Sequence, residues 1–93
     1  MMIGLLEIDL YGEQFHSLKE KRRLLSSVKE RLRNKFNIAV VESDYQDLWQ
    51  KAQISIVTLG PGRSFLEGMF RQIEEFIFQN YSAQISRMQV RYY

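Results

Sequence analysis

A chain of 93 residues with a net charge of +2 and 45% hydrophobic residues has enough apolar mass for one small core and too little for two. It contains no cysteine, which excludes disulfides, thiolate metal sites and a thiol nucleophile. No apolar run approaches about 18 residues, so no membrane-spanning helix is expected. The opening Met1-Met2-Ile3-Gly4 lacks the basic and small-residue marks of a secretory signal, and a soluble cytoplasmic protein is the expectation.

Leu6, Ile8 and Leu10 alternate with Glu7 and Asp9, the period-two pattern of a half-buried strand that Gly12 ends. Ser17 and Glu20 have capping-box spacing, in which the hydroxyl serves the amide three residues on and the carboxylate reaches back to the Ser17 amide. A helix over about 18–36 follows, with Leu18, Leu24, Leu25, Val28, Leu32 and Phe36 on one arc. Residues 38–42 read as a short strand, with Ile38 and Val40 on one face and Ala39 and Val41 on the other. The polar connection 44–50 contains Trp49, large enough to seal one end of a small core, with Asp47 either a partner for its indole N–H or a cap for the short turn. Ala52, Ile54 and Ile56 give a third strand, ended by Gly60-Pro61-Gly62.

Ser64 and Glu67 repeat the capping spacing and open a second helix over about 65–80, with Leu66, Met69, Phe70, Ile73, Phe76 and Ile77 on its core arc. The last strand, about 83–92, sets Met88, Val90 and Tyr92 on one face. Ile85 is out of phase with them, which predicts a bulge near Ser86-Arg87. The order βαββαβ predicts one ferredoxin-like domain over 1–93, a four-stranded antiparallel sheet with two helices on one face and the second and fourth strands at its edges.

The charge is unevenly spread. Residues 19–35 hold eight basic and two acidic side chains, and the rest of the chain holds five basic and nine acidic. With Arg22 at zero on a helical wheel, Lys29, Arg33, Lys19 and Arg23 fall between about −20° and +100°, beside an apolar arc from about −160° to −40°. Lys19, Arg22, Arg23, Lys29 and Arg33 therefore form a basic stripe suited to phosphate contacts, such as those of ribosomal RNA; a plain solvated helix face is the competing reading.

A second candidate is an anion site of His16 and Arg63. It assumes that the first and third strands run parallel, so that two helix N-termini meet at one end. Glu42, Asp44 and Asp47 could approach a divalent cation but read better as a solvated turn, and no metal or cofactor is expected. Glu7 and Asp9 are expected to pair across strands with Arg87 or Arg91 rather than to act as an acid/base pair. Phe78, outside the core arc, and Tyr92-Tyr93 on an edge strand point to a homodimer. The outward positions Glu7, Asp9, Gln53 and Ser55 lack the stacking aromatics of an RNA-recognition motif, so RNA would have to bind through helix one. An acylphosphatase-like activity would need an arginine in the first loop, and residues 11–16 have none. A non-enzymatic protein is expected, with a dimeric ligand-sensing or scaffold module as the alternative.

The block from His16 to Arg23, the stretch Arg31-Leu32-Arg33-Asn34-Lys35-Phe36-Asn37 and the segment Asp47-Leu48-Trp49-Gln50-Lys51-Ala52 keep the order and spacing of the YlxP-like family, which the sequence resembles over essentially its whole length. The resemblance implies a ferredoxin-like fold. It carries over no catalytic or ligand residues, because the family is a domain of unknown function. Family members are often encoded beside transcription-elongation, translation-initiation and ribosome-maturation factors, so the resemblance implies a ribosomal RNA or ribosome-associated partner.

Overall fold

In the computed structural model, which describes residues 1–12 and 15–93, the chain runs β1 (Met2–Tyr11), α1 (Leu18–Lys35), β2 (Ala39–Asp44), β3 (Lys51–Gly60), α2 (Arg63–Asn80) and β4 (Gln84–Tyr92). The strands form one antiparallel sheet in the order β2-β3-β1-β4, which leaves β2 and β4 at the edges. This is the ferredoxin-like arrangement the element order predicts. No helix among the described residues is long and apolar enough to cross a membrane.

Alternation decides which face each strand presents. Leu6, Ile8 and Leu10 of β1 and Ala52, Ile54 and Ile56 of β3 point towards the helices and are fully buried. Leu25, Val28, Leu32 and Phe36 from α1 and Leu66, Phe70, Ile73, Phe76 and Ile77 from α2 close over them in one cluster. Gly4 lets α2 come close, because a Cβ there would stand 2.7 Å from the Phe70 ring. The bulge falls where the phase break places it, with the β1–β4 register shifting between Asp9 and Leu10 opposite Ser86.

Three local expectations change. The Ser17 hydroxyl caps α1 by accepting from the Glu20 amide at 3.2 Å, but the Glu20 carboxylate reaches the His16 amide rather than that of Ser17. The second capping box does not form. α2 starts at Arg63 behind Gly62, with no side-chain cap, and Glu67 turns to the Arg63 guanidinium at 2.9 Å instead. Trp49 does not seal the core: it is 41% exposed, and the buried Phe15, packed on Gly12, lies at that end.

Candidate nucleic-acid interface

The eight cations of residues 19–35 divide into two sets once their surroundings are known. Lys21 is 0% exposed. Its ammonium donates to the carbonyls of Tyr45 at 2.7 Å, Leu48 at 2.5 Å and Lys51 at 3.1 Å. These three bonds use all three N–H groups of a lysine. Glu42 Oε2, 3.2 Å away, is therefore a charge contact, and it accepts no hydrogen bond among the described residues. Lys21 thus ties the first turns of α1 to the β2–β3 connection. That connection carries Tyr45 at φ 62°, a left-handed conformation unfavourable for a bulky side chain. The wheel held the signal for this role: Lys21 falls at about −100°, inside the apolar arc rather than beside it.

Arg31, Arg33 and Lys35 are also engaged. Arg31 donates to the Tyr81 hydroxyl at 3.2 Å and to Asn80 at 3.1 Å, with its guanidinium 5.0 Å from the Phe76 ring centre. Lys35 lies 5.0 Å over the same ring, and Arg33 donates to the Val40 carbonyl at 3.3 Å. Arg33 therefore leaves the predicted stripe for the β2 backbone. Lys19, Arg22, Arg23 and the half-buried Lys29 remain, and none has a hydrogen bond, ion pair or ring contact among the described residues.

Topology gives these four cations their neighbours. Lys21 bonds to the Lys51 carbonyl, and Lys51 pairs with Tyr11 at the end of β1, so the first turn of α1 lies at or beyond the sheet's end. The same lysine grips Tyr45 and Leu48, which brings the exposed Leu48 and Trp49 to that end as well. Lys19, in that first turn, and the loop that displays the Trp49 indole thus stand at the same end of the sheet. Phosphate contacts together with an aromatic platform are the two elements of single-strand recognition.

The His16–Arg63 anion site is not assembled. β1 and β3 are antiparallel, Met2 against Gly60 and Tyr11 against Lys51, so His16 follows one end of the sheet and Arg63 the other. Ten residues of strand separate those ends, about 30 Å. Arg63 is engaged where it sits, with Glu67 and 4.7 Å over the Tyr92 ring. Glu42, Asp44 and Asp47 do not converge either: Glu42 faces Lys21, and Asp44 accepts from the Tyr45 amide. Among the described residues no three acidic or histidine side chains could hold a metal. Asp9 stands opposite Arg87 in register but accepts from Gln53 at 2.8 Å and lies 3.9 Å from the Lys51 ammonium; Arg87 donates to Gln89 instead. Glu7 lies between Ser55 and Gln89, and no ion pair to Arg87 or Arg91 forms among the described residues.

Comparison with known proteins agrees with the sequence blocks. Residues 3–90 match the family model described as "Protein of unknown function (DUF503)". The chain is 36% identical over 76 residues to the "Uncharacterized protein YlxP" of Bacillus subtilis (strain 168), which spans 82% of this chain and 83% of that protein. A match over nearly all of the sheet and both helices, joined to that identity, makes this chain a member of the DUF503 family.

Proposed function

We propose that this chain is a non-enzymatic RNA-binding protein that acts around ribosome maturation or translation. It would contact RNA phosphates through Lys19, Arg22, Arg23 and Lys29 and an unpaired base through Trp49. One observation carries the reading: Lys19, Arg22 and Arg23, which have no partner among the described residues, crowd the end of α1 where folding has least use for them. Lys19 sits in the first helical turn, where the macrodipole disfavours a positive charge. An anionic partner would reverse that cost. The translational setting rests on the resemblance to the YlxP-like family alone. Phosphate contacts position a protein without reading sequence, so preference for a site would come from Trp49 and the shape of the RNA.

The alternative, a dimeric ligand-sensing module holding a small anion between His16 and Arg63, loses its site to the antiparallel pairing of β1 and β3. The test is co-sedimentation with ribosomal subunits and with free ribosomal RNA at two salt concentrations. The variant to compare is Lys19→Glu/Arg22→Glu/Arg23→Glu, which removes no hydrogen bond, ion pair or ring contact among the described residues, whereas Arg33 would take a β2 hydrogen bond with it. The expected result is salt-sensitive binding weakened at least about tenfold in the variant, with a salt dependence shallower by about two to three phosphate contacts. Binding to subunits but not to free RNA would move the partner to a ribosomal protein. No binding at low salt would overturn the proposal.

A further inference from the structure

The face of the sheet turned away from the helices is not an ordinary solvated surface. At the end where β1 starts, its outward positions are apolar on β2, β3 and β1, while β4 sets Arg91 beside Leu5 and Tyr93 beside Ile3. Ile3 lies between Leu59 and Tyr93, Leu5 lies beside Val57, Val57 beside Ala39, and Val41 follows on the edge strand. Leu59 is 56% exposed and Val41 58%, and Ile3, Val57 and Tyr93 are exposed as well. Such a patch, continuous across β2, β3 and β1, exceeds the scattered apolar residues common on a monomer's surface.

The other end of the same face is polar, yet its polar groups bond to one another. Ser55 donates to the Ser43 hydroxyl at 2.7 Å, and Ser43 donates to the Gln53 carbonyl at 2.8 Å. The Gln53 amide donates to Asp9 at 2.8 Å, and Lys51 stands 3.9 Å from the remaining Asp9 oxygen. Asp9 and Gln53 are 3% and 8% exposed although no helix covers this side. A chain of this kind loses little when water is removed, because its groups keep their partners.

We propose that a second copy of this chain covers the open sheet face, forming a dimer with the helices outside. The area suits the occupant. Four strands about 4.8 Å apart, with ten residues in β1, six in β2, ten in β3 and nine in β4, give a face of roughly 550 Å², close to the low end of what each partner contributes to a stable interface. The distribution of groups suits it too. A two-fold axis running along the strands lays apolar end on apolar end and sets β1 of one copy over β3 of its partner. Glu7 then meets Ser55 across the interface rather than a second Glu7. The α1 cations that have no partner among the described residues stay outside, on the far side of each sheet, and the same axis sets β4 with its Arg91 over β2 of the second copy rather than over a second Arg91. This arrangement replaces the edge-strand dimer expected from the sequence, because Tyr92 is turned inward against Phe70 and beneath Arg63.

The experiment is sedimentation velocity over a concentration series, on the wild type and on Leu59→Glu, Val41→Lys and Phe78→Ser. The wild type is expected at twice 11.1 kDa by about 50 μM. Leu59→Glu and Val41→Lys, each at an exposed position, should sediment as monomers with an unchanged far-ultraviolet spectrum, and Phe78→Ser should remain a dimer. A monomeric wild type at that concentration overturns the proposal. So does a dimer that survives both sheet-face substitutions, or one that only Phe78→Ser dissolves. None of these outcomes depends on RNA binding, which is read separately.

Discussion

The two halves of α1 carry similar charge and do opposite things with it. In the C-terminal half, Arg31, Arg33 and Lys35 rest on Phe76 and Tyr81, bond to Asn80 and Val40, and two of them lie in the last turn, where the helix dipole favours cations. In the N-terminal half, Lys19, Arg22 and Arg23 meet nothing among the described residues, and Lys21 between them is withdrawn entirely from water. The difference lies in what stands opposite. The end of α2 and its following tyrosine come up against the C-terminal half, whereas the long-range polar contacts of the N-terminal half, among the described residues, run through Lys21 to the β2–β3 connection and the strand ends beside it. A basic block is thus a poor guide to function until each charge has been assigned a neighbour. Here the assignment leaves a remainder at one end only.

The sharpest test of that division is Lys21→Met, since Lys21 is the one cation of the N-terminal half that the fold uses. Methionine fills similar space but leaves three carbonyls without their shared donor and Glu42 without its counter-charge. Removing one member of a buried charged cluster costs about 3 kcal/mol or more. For a domain of this size, thermal denaturation should shift down by at least about 12 °C. Adding Glu42→Gln should recover part of the loss, because a neutral amide is less costly to leave buried than an unpaired carboxylate. A melting temperature within about 2 °C of wild type would show that Lys21 does not hold the loop, and the displayed position of Trp49 would lose its physical basis.

Arg31→Ala probes the other half with a smaller effect. It removes exposed hydrogen bonds to Tyr81 and Asn80 and the cover over the buried Phe76, for an expected loss of about 1 kcal/mol and about 4–8 °C. RNA binding in the co-sedimentation assay should not change. Weaker binding without a change in melting would move the interface along the helix and break the comparison.

Much of this was legible in the sequence, and what was missed has physical causes. The alternating triads Leu6-Ile8-Leu10 and Ala52-Ile54-Ile56 reported the strands and their buried face, and the phase of Ile85 reported the bulge. Periodicity says nothing about strand direction, so the pairing of His16 with Arg63 depended on a topological assumption that the register reverses. Trp49 was expected inside because of its size, but a loop held by its own carbonyls has no need to bury its side chains. Ser64 matched a capping spacing, but the backbone turn at Pro61-Gly62 starts α2 before it. The apolar half of the open face escaped notice because Ile3, Leu5, Val57 and Leu59 lie outside or between the triads that define the core. Lys21 was the most informative miss. A charge on the apolar arc of an amphipathic helix is either an error of phase or a buried charge with partners, and the neighbouring Leu25 and Val28 excluded the first.

The smallest expected effect separates the two ends most directly, because it should differ in sign. Lys19 is in the first turn of α1, against the dipole, and four residues before Arg23. Lys19→Glu reverses an unfavourable charge and creates an acidic-to-basic pair at the favourable i,i+4 spacing, for a gain of about 0.3–1 kcal/mol. The mirror substitution at the other end, Lys35→Glu, removes a favourable last-turn cation and its contacts with Phe36 and Phe76, for a comparable or larger loss. Melting temperatures measured at low ionic strength should therefore rise by a few degrees for Lys19→Glu and fall for Lys35→Glu. The gain should shrink as salt screens both terms. If Lys19→Glu stabilises the free protein while weakening its hold on RNA, the lysine is held there against the interest of the fold, and only a partner can account for it. If it destabilises the free protein, Lys19 has a structural contact and the count of unpartnered cations falls to three.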